Sequence, residues 1–547
     1  MRIHTPRPYK ACDGATQAVI YFMVIFTPWA FGTTDNWSIW IANISAYLLG
    51  GLLMTKWVIR WKTGYQPERW GNGAREEGGG LRISRGLKIA LAGLTVLILG
   101  YCLTGALNAR ASFDPKTNHF EYHDCIEWLP ASYDSVSTWQ AFWSYLGLAF
   151  FFWATHDWLL GQTSKERRES RGEDGENSIT HRAGGSWRVE PRSASAESQS
   201  LLPPAVTANP EEARSFPSAV ESKMHRRSPQ PHIPSRLRLL LWILCINGGL
   251  LALEGILQRL DGTGKLLWMI EPRFNKTADS QFGPYAYRSN AAAYINIVWP
   301  VCLGFWLALR KAMFRRRPEN RKVGGGSQAL LLPCVVVMAA SPIFSTSRGG
   351  ALVGIVQILA TTVILFVATR RERTLIRVGS LSLSIFILGL TAYLGWKQLQ
   401  DRLENVFVDN LSNRTEIYAN AKQIAADFPV LGTGAGTFGS VYFLYKEAAQ
   451  TWEAYLHDDW METRTTFGWV GFGLILVMLG IVLLRWFAPG GIHASWELVM
   501  LIWLGMAGCL FHAKFDFPFQ IYSILLLFLL LCGILFCVSR SENGNRG

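Results

Sequence analysis

Apolar runs of about 20 residues, the length of helix that crosses a hydrocarbon core of roughly 30 Å, recur along the chain between polar or charged stretches. The pattern predicts spans at 15–32, 38–59, 86–107, 137–158, 237–258, 291–310, 328–346, 350–369, 378–396, 466–486, 496–512 and 519–538. Two neighbouring pairs are joined by very short polar hinges, at Ser347 to Gly349 and at Phe515 to Pro518. The expected fold class is all-α: a polytopic integral membrane protein of about twelve transmembrane helices, with a large extracytoplasmic loop between helices 9 and 10.

Orientation follows from the loops that carry Lys and Arg, because short loops rich in both stay in the cytoplasm. Five segments qualify. They hold Lys56, Arg60, Lys62 and Arg69; Lys165, Arg167, Arg168 and Arg171 with Arg236 and Arg238; Arg310, Lys311, Arg315, Arg316 and Arg317; Arg370, Arg371, Arg373 and Arg377; and Arg485 with Arg540. All fall on one side if twelve spans alternate and both termini are cytoplasmic. The net charge of +13 is therefore mostly topology, and its scatter over loops between spans speaks against nucleic-acid binding. The basic start MRIHTPRPYK precedes an apolar run without a small-residue cleavage site, which reads as an uncleaved first helix. The nine cysteines, seven of them in or bordering spans, make no disulfide framework or zinc spacing.

From Gly161 to Pro234 the chain turns polar and rich in Ser, Arg, Glu and Pro, a composition that buries too little apolar surface to fold. The expected organisation is four helices in 1–160, a disordered cytoplasmic linker in 161–236, and eight helices in 237–547. Three outside segments exceed turn length: 108–136, 259–290 and 397–465. The last leans acidic and is the expected seat of function, since long loops on a rigid scaffold usually carry it. Within it, Arg414, Ile417, Tyr418, Ala421, Ile424 and Ala425 recur at helical spacing after Ser412 or Asn413, predicting an amphipathic helix over 411–427 lying on the outer membrane surface. A proline and glycine turn, DFPVLGTGAGTFGSVY, follows.

Arg348 stands in FSTSRGGALVG at the end of an apolar helix, where a guanidinium is costly unless it meets a cavity or partner. Its fork of donors suits a diphosphate; the bland alternative is an anchor snorkelling to water. His457, in HDDWMETRTTFGWVG, can take a proton from a sugar hydroxyl near neutral pH or be an ordinary surface histidine. Asp458, Asp459 and Glu462 invite a divalent-cation reading, but carboxylates at a helix beginning more often complement the helix dipole. Gly432, Gly434 and Gly436 lack the preceding strand of a dinucleotide loop, so they read as a tight turn or a close backbone approach.

Together these segments resemble the O-antigen ligase and O-antigen polymerase family of bacterial membrane glycosyltransferases. The resemblance rests on SRGGALVG at 347–354, Arg414 in NRTEIY, the P-x-x-G-x-G-x-G-x-F pattern from Pro429 to Phe438, His457 followed by Gly468 and Gly471, and HAKFDFP at 512–518. It covers the carboxyl-terminal half from FGPYAYRSNAAAYINIVWP onward. It implies inverting, metal-independent transfer of a glycan from undecaprenyl diphosphate to a glycan or lipid A core acceptor at the bilayer's outer face, with membrane lipid as its setting and no cofactor. Arg348 and Arg414 would hold the diphosphate and His457 would activate the acceptor hydroxyl, with Arg464, Asp458, Asp459 and Tyr418 as substrate-binding candidates. Asp458 stands where the family often has Asn, and Thr466 where it often has Glu; Arg464 is an extra cation. These departures bear on the acceptor more than the donor.

Ligase and polymerase both remain open at this level. A reading from another class, a transporter or flippase for a lipid-linked sugar, predicts polar residues at mid-membrane and broken helices there. The candidate residues cluster instead at the expected outer boundary, which favours an enzyme.

Overall fold

The structure, a computed structural model, describes residues 5–70, 78–167, 233–314, 326–369, 411–450, 454–488 and 491–540, with isolated helical positions between 378 and 393. Most of the ninth expected span and most of the expected linker lie outside the described residues. The chain divides into two units, 1–162 with 231–542, and 163–230 with 543–547. Of the second, the described part is a helical turn at 164–167, where the Glu166 carboxylate accepts the Thr163 amide at 2.7 Å.

The first unit is mostly helical. In chain order the helices are α1 (Arg7–Trp29), α2 (Asn36–Thr63), α3 (Gly78–Leu107), α4 (Ser135–Leu159), α5 (Ser235–Asp261), α6 (Arg288–Phe314), α7 (Leu331–Phe344), α8 (Arg348–Ala368), α9 (Leu411–Asp427), α10 (Phe438–Tyr445), α11 (Asp459–Leu484), α12 (Trp496–His512) and α13 (Tyr522–Cys537). Local chemistry sets many of their ends. Asp134, Ser347 and Asp458 accept backbone amides as N-caps of α4, α8 and α11, which satisfies donors that a helix start leaves open. Gly64 and Gly262 end α2 and α5 in left-handed conformation.

Among the described residues seven helices are long and apolar enough to cross a membrane: Asn36–Thr63, Ile83–Leu107, Ser235–Asp261, Arg288–Met313, Ser327–Phe344, Arg348–Ala368 and Asp459–Phe487. Trp496–His512 and Tyr522–Cys537 are shorter apolar helices. The protein is a multi-pass membrane protein. Its core is built round α6, whose apolar window is 89% buried against 22% for α3 and 28% for α11, so α6 is central and the other two peripheral. Between α3 and α4 the chain adds a hairpin the sequence did not predict, β1 (Ala111–Asp114) paired antiparallel with β2 (His119–Tyr122).

The α9 helix has the predicted bounds, but its apolar face does not lie on a membrane surface. Ile417, Ala421 and Ile424 are buried in a cluster with Phe438, Val441, Tyr442 and Leu456, so α10 and the segment before α11 cover that face. An amphipathic stripe specifies that something apolar is met, not whether it is lipid or protein.

The bundle has two chemically distinct ends. At one, fully buried Lys56 pairs with Asp157 at 2.9 Å and Asp13 at 3.4 Å, Arg60 and Arg69 join Asp157, and Arg236 joins Asp13. Cys537, which ends α13, lies 3.2 Å from the ring of His156 beside this cluster. The sixteen residues of α13 then run about 24 Å at 1.5 Å per residue to the other end, where the 513–521 turn, the start of α8 and the start of α11 meet.

Candidate active site

The second end is assembled from three helix starts. α11 begins at its Asp458 cap, whose Oδ1 accepts the Met461 amide at 3.1 Å while Oδ2 pairs with Lys514. His457, just before the cap, is in the left-handed region at φ 58°, a conformation that costs a non-glycine residue free energy and recurs at functional sites. Its carbonyl accepts the Tyr418 hydroxyl of α9 at 3.1 Å. Its Nδ1 donates to Asp516 Oδ1 at 3.0 Å. A carboxylate can only accept, so Nδ1 carries the proton and Nε2 is left as the basic nitrogen.

Asp516 is buried and also accepts the Phe517 amide at 3.1 Å. Burial alone would push its carboxyl up, but the hydrogen bond from His457, with smaller contributions from its other neighbours, outweighs it and holds the group below the usual carboxylate range. Around the pair, Phe517 stacks on Tyr455 at 4.7 Å and on Tyr287 at 5.5 Å, with the His457 ring edge-on to Phe517 at 4.8 Å. His457 keeps 20% side-chain exposure, enough to meet a substrate from one side.

α8 brings Arg348 to the same end. Ser347 Oγ accepts the Gly350 amide at 3.1 Å and donates to Ser289 of α6 at 3.1 Å; Ser289 in turn lies 3.1 Å from Nε2 of buried His512, at the end of α12. The glycines after Arg348 have a packing reason. A Cβ at Gly350 would lie 2.4 Å from Ala292 Cβ, and one at Gly349 would lie 3.2 Å from His512 Nε2. The SRGG motif therefore lets the start of α8 press against α6 and α12, with half-buried Arg348 as its first helical residue.

The glycine loop closes on the backbone of α11. α11 breaks at Gly468 (φ 59°, ψ −171°), and the peptide groups freed there bond to the loop. Thr433 N donates to Thr465 O at 3.1 Å, Gly434 N to Thr466 O at 2.9 Å, Trp469 N to Pro429 O at 2.9 Å and Val470 N to Val430 O at 3.2 Å. A Cβ at Gly432 would sit 2.5 Å from Thr466 O, and one at Gly468 would sit 2.2 Å from Val430 O. Tyr101 of α3 adds a hydroxyl to Phe467 O at 3.1 Å. The Pro429 to Phe438 pattern thus braces the helix that begins just after His457.

Of the residues the sequence singled out, His457, Asp458, Asp459, Tyr418 and the first residue of α8, Arg348, meet at this end. Asp459 is already engaged: Oδ2 accepts the Phe519 amide at 2.7 Å and Oδ1 the Gln520 side chain at 3.0 Å. Glu462 accepts the Leu456 amide at 2.8 Å. Arg464 lies 4.0 Å over the Trp469 ring, away from the His457 and Asp516 bond. The side chain of Arg414 is outside the described residues; its backbone lies in the first turn of α9. Sequence reasoning missed Asp516, Ser289 and Tyr287 as site residues. HAKFDFP was legible as a motif, but nothing local says that its Asp reaches a histidine 59 positions earlier.

No curated protein matches the chain. Residues 333–476, which contain Arg348, Arg414, the glycine loop and His457, match the family model described as O-antigen ligase; Asp516 and Ser289 lie outside that segment.

Proposed function

We propose that the chain is a membrane glycosyltransferase that moves a glycan from undecaprenyl diphosphate to an acceptor hydroxyl on the outer face of the bacterial inner membrane, in the manner of an O-antigen ligase or polysaccharide polymerase. The observation that carries this reading is His457, held through Nδ1 by Asp516 with Nε2 free, beside the helix start that bears Arg348. Nε2 takes the acceptor proton as the hydroxyl oxygen attacks the anomeric carbon. The bond from that carbon to the phosphate oxygen breaks in the same displacement, so configuration inverts and the diphosphate leaves. Arg348, at the positive end of a helix dipole, and Arg414 stabilise the charge that develops there.

The reaction needs no divalent metal on this reading. The two guanidinium groups supply the field, and the carboxylates nearest His457 are taken: Asp458 by its cap and Lys514, Asp459 by Phe519 and Gln520, Glu462 by Leu456. Tyr418 and Asp458 then act by holding His457. The break in α11 is the kind of feature a transporter would use, but its freed peptide groups are taken up by the glycine loop, which favours the enzyme.

The test is turnover of lipid-linked oligosaccharide by purified protein, with and without lipid A core, in excess EDTA. Glycan transfer should persist. Arg348→Lys, Arg348→Ala and the same changes at Arg414 should each lower it by about 10²-fold or more, and His457→Ala by about 10² to 10⁴. Activity abolished by EDTA and restored by Mg²⁺ would overturn the metal-independent scheme, and absence of any transfer would overturn the function.

A further inference from the structure

The loop that follows α5 carries apolar side chains on its surface. Trp268 is 42% exposed, Ile270 46%, Met269 73% and Phe274 79%, a display that marks an interaction surface when it gathers in one place. The loop is built to hold them there. Leu266 N donates to Ile270 O at 2.8 Å and Met269 N to Leu266 O at 3.0 Å, closing a tight turn. Within it Leu267 and Trp268 adopt φ of 52° and 60°, left-handed conformations that persist only where the surrounding structure dictates them. Buried Gln258 and Gln281 brace the turn: Gln258 Nε2 donates to Lys265 O at 2.8 Å, and Gln281 Nε2 to Gly264 O at 3.0 Å and Asn275 O at 2.6 Å. What the display meets follows from α5. Leu250, Leu253, Leu257 and Leu260 are exposed on this span at the spacing of one helix face, the face a spanning helix turns to lipid. Asp261, four residues after Leu257, ends that stripe, and its Oδ2 accepts Trp268 Nε1–H at 2.9 Å. The indole is thereby tied to the end of the lipid-facing stripe, and the turn continues the stripe past the helix. An apolar ring with its one N–H satisfied suits the boundary between hydrocarbon and headgroups. Lys265 and Arg273, both exposed, flank the apolar residues with long side chains suited to headgroup phosphates.

We propose that the turn from Leu266 to Phe274 is a membrane-interface anchor: Trp268, Met269, Ile270 and Phe274 enter the leaflet at the site end of the bundle, beside α5, and hold this loop at the level of the phospholipid headgroups. The occupant is phospholipid because the apolar face is continuous with the lipid-facing stripe of α5. The anchor bears on the site through Arg259. Its guanidinium donates to Ala278 O in the same loop, to Ser345 O at 3.1 Å and to the Thr346 hydroxyl, just before Arg348. Loop and start of α8 are therefore held at one height. On the transferase reading that height is where the diphosphate of a lipid-linked donor lies; the anchoring itself does not rest on that reading.

The test is photo-cross-linking of the full chain in vesicles of phosphatidylethanolamine and phosphatidylglycerol, read by peptide mass mapping. Met269→benzoylphenylalanine should form phospholipid adducts about as well as Leu257→benzoylphenylalanine on the α5 stripe, and at least about fivefold better than Lys116→benzoylphenylalanine in the turn between β1 and β2. If the Met269 variant does not accumulate, the same change at Phe274 is read instead. A second readout uses turnover: Met269→Glu with Phe274→Glu should lower glycan transfer in vesicles by about tenfold while leaving it within about twofold of wild type in detergent, where no bilayer sets the height. Phospholipid adducts no more abundant than at Lys116, adducts to a second copy of the chain in their place, or an equal loss of transfer in both media would overturn the proposal. A wild-type protein without transferase activity would sink the function alone, leaving the cross-linking to decide this inference.

Discussion

Replacing Asp516 by Asn tests the site at its least replaceable bond. Asp516 Oδ1 accepts two donors, His457 Nδ1–H at 3.0 Å and the Phe517 amide at 3.1 Å. An asparagine has two orientations. With its NH₂ group turned toward His457, the buried Phe517 amide loses its acceptor, at a cost of about 1–3 kcal/mol, so the carbonyl orientation is preferred and His457 keeps its tautomer. What disappears is the charge. A hydrogen bond to a charged partner contributes about 1.5–3 kcal/mol net, realised here as the imidazolium forms in the transition state, which corresponds to roughly 10- to 150-fold in kcat. Asp516→Asn should therefore hurt less than His457→Ala. Stability follows the same group. Its folded pKa lies below the ordinary value, so its contribution is present above an unfolded pKa of about 3.9 and is lost as pH falls through the folded value; the gap between wild type and Asp516→Asn should close in acid. The assay is single-turnover transfer from about pH 5 to 9, with thermal unfolding alongside. Activity within threefold of wild type in a folded variant would refute the pairing, and a loss equal to that of His457→Ala would refute the tautomer argument.

Gly468→Ala should destabilise the protein by roughly 2–6 kcal/mol, from about 1–3 kcal/mol of strain at a left-handed φ and at least one broken bond to the glycine loop; an unchanged unfolding midpoint in detergent would count against the brace. Asp157→Ala removes the 2.9 Å partner of fully buried Lys56 and should cost about 3–5 kcal/mol, with part regained in Lys56→Met/Asp157→Leu; thermal unfolding of the set checks both. A cysteine at Gln450 should react with an impermeant thiol reagent in intact cells whose outer membrane is permeabilised, since the site end is assigned to the outside; labelling only after inner-membrane lysis would invert the topology. Deletion of 168–230 should leave transfer unchanged if the linker is dispensable, and loss of activity in a protein that still accumulates would show otherwise.

The chain alone determined the features that depend on near neighbours. Among the described residues the seven long apolar helices and the bounds of α9 at 411 and 427 follow from periodicity and capping chemistry, which act within a few residues. The choice of Arg348 and His457 came from the same kind of local oddity, a cation or a histidine beside an apolar run. Tertiary structure decided what each of these residues meets. Ser289 reaches His512 across 223 positions, the glycine loop meets the break at Gly468, and the stripe of α9 meets α10 instead of lipid. A repeat of polar and apolar positions records that a face is buried and a carboxylate records that a charge is present; which partner satisfies either is set by the packing of helices distant in sequence, whose contacts leave no periodic trace along the chain.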